Sequence, residues 1–297
     1  NGGLACMFTM MNYERLSVGL QGLGAGELAY QQASRYARDR LQGRAPAGPA
    51  NPDGGADSLL AHPAVRRMLL TVRAYTEGGR AFAVFAGLKL DRAKHAHDRD
   101  CQALSELLTP LAKAFLSDRG FECAVMAQQV FGGHGFIREW GVEQIVRDAR
   151  IAQIYEGTNG IQALDFVARK VCRDGGRTLY ALLDAMAASS VPERYRAPLK
   201  QALERLRSVT ERVIAGSQQD ANLPGAVSTD YLDLAGHTIY AWLWARMAGV
   251  SGDDEFGRAK RRTADFFYAR LLPKTLGLEA SVLADTDSLM GFEEAAF

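Results

Sequence analysis

The sequence predicts an all-α protein, with a four-helix-bundle-type unit over residues 1–175 followed by a second helical unit over residues 176–297. Apolar residues recur at helical spacing in one segment after another, and no stretch shows sustained period-two alternation or an internal repeat. The punctuation is that of helix ends: Pro63 opens one apolar run, and Asp174-Gly175-Gly176 closes another. A chain of 297 residues is long enough for one or two domains with a real core.

Residues 12–41 read as a long helix with Leu16, Leu20 and Leu23 on one face. Gly19, Gly22, Gly24 and Gly26 would weaken that helix in isolation, so they predict a neighbouring backbone packed closely against it. Residues 43–58, rich in Gly, Pro, Asn and Asp, should be an exposed loop and are the first place to expect disorder. Pro63 suits a first helical position, and Val65, Met68, Leu69 and Val72 mark the face of a second helix running to about residue 90. Helices over 101–118 and 120–131 follow, the latter stopping at a glycine cluster, and four antiparallel helices with short joins make a bundle. A further helix over 161–172 ends the unit. Beyond it, Leu199, Leu203, Leu206, Val209 and Val213 form another stripe, and 234–247 and 262–272 supply two more helical segments.

Thirty-five Lys and Arg against 34 Asp and Glu give a net charge of +1, and no long run of one sign marks a nucleic-acid or membrane-surface partner. No apolar run reaches the ~18 to 20 residues of a membrane span. Cys6, Cys101, Cys123 and Cys172 are far apart without metal-ligand spacing, which points to reduced packing thiols, a cytoplasmic-type compartment and no metal site. The start, without an initiator methionine or secretory signal, reads as a cut end.

Two motifs carry the chemistry. In Gln153-Ile154-Tyr155-Glu156-Gly157-Thr158-Asn159-Gly160, a carboxylate sits on a short turn between helical segments. Glutamates are usually solvated surface residues. Here Tyr155 adds apolar bulk, Gly157 leaves room for a substrate and Thr158 adds a hydroxyl. A substrate sealing such a pocket would raise the carboxylate pKa toward the range of a general base. Roughly 20 residues upstream, Gln129-Val130-Phe131-Gly132-Gly133-His134-Gly135 can bring main-chain N–H groups to a ligand, or can simply end a helix.

Together with Val146-Arg147-Asp148-Ala149-Arg150-Ile151, these motifs closely resemble the C-terminal half of flavin-dependent acyl-CoA dehydrogenases over about residues 1–172. The remainder resembles an extra helical domain found in a bacterial branch that includes enzymes acting on 3-methylmercaptopropionyl-CoA and fatty acyl-CoAs. The resemblance implies FAD-dependent α,β-dehydrogenation of an acyl-CoA. Glu156 would remove the pro-R α-proton while the β-hydrogen leaves as hydride to flavin N5. A flavin ribityl hydroxyl and the Glu156 N–H would stabilise the enolate-like charge. Gln129, Gly132 and Gly133 would hold the adenosine-diphosphate portion of the FAD of a neighbouring subunit, making a homo-oligomer, and Arg40 would contact the FAD pyrophosphate through its planar donors. Thr158 matches a flavin-contacting threonine, and Asn12 and Arg15 match positions that approach the acyl-CoA. Electron-transfer flavoprotein would reoxidise the flavin.

Read alone, Arg40 is an exposed helix-end arginine, and Arg15 is a partner for Glu14 or a neighbouring helix. Leu41 and Gln42 depart from the family's usual Arg-Lys-x-Phe-Gly, Asn12 stands where many relatives carry Asp, and Gly160 replaces a frequent glutamine. His134 reads as a turn residue and His62 as a helix-start residue before Pro63, while Trp140, Trp242 and Trp244 read as core or interface. The family's upstream helical domain and β-barrel have no counterpart here, so the isolated chain is expected to be inactive. The alternatives are an acyl-CoA oxidase and a non-catalytic helical interaction module.

Overall fold

The computed structural model describes residues 2–296. Its elements are helices, and among the described residues the only β-type pairing is an isolated bridge between Leu41 and Ser58. Three long helices build the first layer: α1 (Gly3–Asp39), α2 (Pro63–His95) and α3 (Arg99–Val130). The two helices expected over 101–118 and 120–131 are therefore one. Gly120, read as a stop, lies inside α3, where its missing side chain lets the Gly22 backbone of α1 come against it. Gly19 and Gly22 serve the same contact from α1: a Cβ on Gly19 would lie 2.9 Å from the Ala112 carbonyl oxygen, and one on Gly22 would lie 2.5 Å from Ser117 Cα. Gly19, Gly22 and Gly26 thus form the close helix approach that the spacing predicted, whereas Gly24 faces open space and Leu20 on the outer face is 45 % exposed.

The 43–58 loop is folded around one carboxylate. Asp57 is buried and accepts from the backbone N–H groups of Ala45 (2.8 Å) and Asn51 (3.0 Å), with Arg44 3.6 Å away. These donors hold its carboxyl below the usual range. Between α2 and α3 the chain reverses at Asp98, whose side chain caps α3 by accepting from the Cys101 N–H at 3.0 Å.

After α3 come α4 (Val142–Arg150) and α5 (Asn159–Leu164), which continues as a wide π-type turn over Asp165–Cys172. Then follow α6 (Arg177–Ala187), α7 (Glu193–Ser217), α8 (Leu223–Val250), α9 (Glu255–Phe266), α10 (Lys274–Val282) and the short α11 (Asp287–Met290). Helix α8 is apolar on all sides and correspondingly buried from Tyr231 to Ala245, except for Asp233, which is partly exposed. Gly78 and Gly79 of α2 admit its Tyr240 and Trp244. One core therefore joins Phe82, Leu108 and Phe115 to Leu179, Tyr231 and Trp244, and a second, around Ala29, Ala33, Ala127 and Ile145, lies under α4. No helix is long and apolar enough to cross a membrane among the described residues.

Candidate functional site

Glu156 lies between the short helical turn Ile151–Gln153 and α5, half-buried, with φ of +59°, a left-handed conformation that a side chain adopts only at a cost. The turn is held on every side. Buried Gln162 donates from Nε2 to the Glu156 carbonyl at 3.2 Å. Buried Lys113 of α3 donates from Nζ to the Gly157 carbonyl at 2.9 Å and to Asn159 Oδ1 at 2.7 Å. Asp118 Oδ1 accepts from Gln153 and from Asn159, each at 2.6 Å, tying both flanks of the turn to α3. The Tyr155 hydroxyl donates to Gln21 of α1. No described residue accepts from the Glu156 N–H, which is left free for a ligand oxygen.

Burial lowers the Lys113 ammonium to about 8; the carboxylates of Asp118 and Glu156 oppose that shift and Arg15 adds to it. Gly157 has φ of +84°, and a Cβ there would lie 2.7 Å from Gln162 Nε2, so the space beside it belongs to the Gln162 amide. Thr158 caps α5, its Oγ1 accepting from the Ile161 N–H at 3.3 Å.

The second motif lies at the other end of α1. Gly132 (φ +58°) and Gly133 are exposed with open space where side chains would be, and Gln129 is exposed on the last turn of α3. Next to them a cavity of about 480 Å³ is lined by Arg35 and Asp39 of α1 and by Arg40 just past its end, and walled by Tyr36, Phe131, His134 and Trp140. Tyr36 stacks on Phe131 (centroids 4.2 Å apart), His134 stacks on Trp140 (4.6 Å), and the Tyr36 hydroxyl meets His134 Nδ1 at 2.9 Å. Gln32 Oε1 faces no hydrogen-bond partner there. Trp140, expected in the core or at an interface, is 44 % exposed on this wall. Two guanidinium groups beside flat aromatic surfaces and side-chain-free backbone suit a planar ligand that carries phosphate. His62 at the start of α2 bonds to the Gln42 carbonyl at 2.8 Å.

Asn12 and Arg15 line a third cleft with residues of α3 and of the π-type turn. The sequence-derived residues thus fall into three places: Glu156, Gly157 and Thr158 on the braced turn; Arg40 with Gln129, Gly132 and Gly133 at the far end of α1; and Asn12 with Arg15 near its start.

Residues 1–171 match the family described as acyl-CoA dehydrogenase, C-terminal domain. The chain belongs to the acyl-CoA dehydrogenase family. Residues 178–293 match a second family, described as acetyl-CoA dehydrogenase C-terminal like. The chain is similar to the 3-methylmercaptopropionyl-CoA dehydrogenase of Ruegeria pomeroyi, 41 % identical over 98 % of this chain and 52 % of that protein. It is also similar to a broad-specificity linear acyl-CoA dehydrogenase of Mycobacterium tuberculosis, 30 % identical over 100 % of this chain and 53 % of that protein. The chain spans about half the length of these curated relatives. In fold it matches a Bacillus anthracis acyl-CoA dehydrogenase complexed with FAD, with a TM-score of 0.75, 18 % identity, and coverage of 98 % of this chain and 52 % of that one.

Lys113, Gln162 and Asp118 were not legible in the sequence as residues of this candidate site. The signal available was a lysine in an otherwise apolar stretch of α3, Leu111-Ala112-Lys113-Ala114-Phe115, where a buried cation needs a partner. The aromatic wall was likewise missed, because Tyr36 and the 131–140 segment are distant in sequence.

Proposed function

We propose that this chain is the C-terminal half of an FAD-dependent acyl-CoA dehydrogenase that oxidises the α,β-bond of an acyl-CoA thioester. The Glu156 turn carries this reading: a half-buried carboxylate on a left-handed backbone, clamped from three helices, with its own N–H unpaired. The carboxylate takes the α-proton, and the N–H donates to the thioester oxygen on which charge develops. FAD, when bound, supplies the acceptor for the hydride that leaves the β-carbon.

Arg40 would hold the phosphates of one FAD, with Gln129, Gly132, Gly133 and the aromatic wall against its adenosine end, while Thr158 would lie near the ring of the FAD that Glu156 serves. Gln21, which touches Tyr155, and Arg40 are separated by roughly 28 Å of α1 at 1.5 Å per residue. That span exceeds the reach from the phosphates of an FAD to its ring, so Arg40 serves a flavin whose base comes from a neighbouring protomer, and the enzyme is a homo-oligomer. Asn12 and Arg15 bind the acyl-CoA on its way to the turn.

Relatives aligned over nearly the whole chain carry dehydrogenase names, which supports electron-transfer flavoprotein over oxygen as the acceptor. The free thiols support a reducing, cytoplasmic compartment. Anaerobic mixing of the full-length protein with acyl-CoAs of different chain length should bleach the flavin band in a single turnover. No bleaching with any acyl-CoA would overturn the enzymatic reading in favour of a helical interaction module, and peroxide formed in air as fast as dye reduction would make it an oxidase.

A further inference from the structure

The cleft that holds Asn12 and Arg15 has a volume of about 510 Å³ and carries more cations (Arg15, Arg169, Lys170, Arg173, Arg177) than carboxylates (Glu106, Asp165, Asp174). The π-type turn brings Arg169 and Lys170 to it, and the junction into α6 adds Arg173 and Arg177. Carboxylates answer only part of this charge. Arg169 pairs with Asp165 (3.4 Å) and Lys170 with Glu106 (3.5 Å), while Asp174 Oδ2 accepts from the N–H and hydroxyl of Thr178. Arg15, Arg173 and Arg177 have no ion pair among the described residues, and Arg15 Nε is buried without a hydrogen-bond partner. Like-charged guanidinium groups gathered in one cleft repel one another, so an arrangement left unneutralised is suited to a polyanion.

A second cleft, of about 630 Å³, adjoins it and shares Ala103, Arg177 and Thr178. Its walls mix aromatic and apolar groups with charged ones: Phe85 packs edge-on to Trp242 at 5.1 Å with Leu104 beside them, Lys89 lies over the Phe85 ring, Arg246 lies over Trp242, and Asp100 lines the same cleft. A cationic cleft beside one that offers aromatic rings and further cations matches the two ends of a phosphorylated nucleoside.

The placement relative to the base is also set. Glu106 precedes Lys113 by about two turns of α3, roughly 10 Å, and Lys113 holds the Gly157 carbonyl. On α1, Asn12 and Arg15 precede Gln21, the partner of Tyr155, by roughly 9 to 14 Å. Both helices give a spacing of the order bridged by a pantetheine arm.

We propose that Arg173 and Arg177, with Arg15, form the subsite for the 3′-phosphorylated adenosine diphosphate end of the acyl-CoA, so that the segment joining the two family regions contributes to substrate binding. This rests on the acyl-CoA reading above, and the phosphates dock in the polar cleft with the base entering the aromatic one.

The full-length holoenzyme tests it in two ways. In the Arg173→Ala/Arg177→Ala variant, the wild-type preference in kcat/KM for an acyl-CoA over the same acyl-pantetheine should fall by about 10- to 100-fold, through KM. An unchanged preference, or an equal fall for both thioesters, would overturn the proposal. In calorimetry, adenosine 3′,5′-bisphosphate should bind the wild type and lose at least tenfold in affinity in the variant. Binding no tighter than that of inorganic phosphate, or insensitive to the variant, would equally overturn it. The calorimetry involves no turnover, so a protein that binds the nucleotide through these arginines but is bleached by no acyl-CoA would keep the subsite and lose the dehydrogenase reading.

Discussion

The Glu156 turn and the Gly132 turn contrast a clamped segment with an open one. Around Glu156, a left-handed residue is fixed by Gln162, Lys113 and the Asp118 bridge, each donor or acceptor coming from another element. Around Gly132, the backbone is also left-handed, but the glycines face open space and the charged residues of the adjoining cavity, Arg35, Asp39 and Arg40, are exposed. A group that must meet one proton at one distance has its freedom removed in advance, because misplacement costs rate steeply. If the Gly132 face receives the ligand proposed above, its bare backbone and exposed cations leave that ligand room to dock.

If the clamped turn carries the base, Glu156→Gln in the full-length enzyme should show the largest effect. The amide keeps the shape but accepts no proton, so single-turnover bleaching should slow by about 10²- to 10⁴-fold while FAD content stays near that of the wild type. Bleaching at the wild-type rate would remove Glu156 from the reaction.

Lys113→Met sharpens the contrast by loosening the clamp while keeping the Glu156 side chain, although it also removes a cation that interacts with the Glu156 carboxylate. Loss of the bonds to Gly157 and Asn159 should lower kcat by about 10- to 100-fold with little change in FAD content. A KM effect with kcat intact would show that the lysine serves binding and not the placement of the turn.

On the open side, Arg40→Ala should weaken FAD by about tenfold or more, since hydrogen bonds to charged groups contribute about 1.5 to 3 kcal/mol each. Its allocation to a neighbour's site can be broken directly. In mixed dimers pairing an Arg40→Ala protomer with a Glu156→Gln protomer, action in trans places both defects in one site and leaves about half the sites fully active. Tagged heterodimers with no fully active site would return Arg40 to its own protomer.

The smallest effect is on stability against pH. The Lys113 ammonium is lowered from 10.5 to about 8 in the folded protein, so between those values the unfolded chain binds the extra proton. Below pH 8 the buried charge costs stability, and the cost is relieved as pH rises from 8 toward 10.5. Urea midpoints should therefore rise for the wild type relative to Lys113→Met across that interval; parallel pH curves would mean the lysine is not held as the fold implies.

The two candidate motifs were readable because the parts of each are local. Tyr155-Glu156-Gly157-Thr158 and Gln129 to Gly135 are contiguous, and their spacing is preserved whatever the tertiary packing. The groups that brace them are not contiguous. Lys113 reaches the turn only because α3 passes beneath it, and Tyr36 reaches His134 only because α1 ends beside the glycine turn. Gly120 shows the same limit in the fold: local propensity reads it as a break, while contact with Gly22 makes it an interior position of α3. In the 43–58 loop, composition marked exposure, but the buried carboxylate of Asp57 supplies the order that composition alone argued against.

The sequence by itself determined the helical class, the positions of most helices and the motif that holds the candidate base, since helical periodicity, glycine spacing and a contiguous turn are written along one chain. Only the tertiary structure decided that α8 completes a core with α2 and α3, that Lys113 and Gln162 hold Glu156 in a left-handed conformation, and that cations from the π-type turn and α6 gather beside Arg15. The physical reason is the same in each case. Burial, clamping and charge gathering depend on distances between segments far apart in sequence, and those distances exist only after the helices have packed.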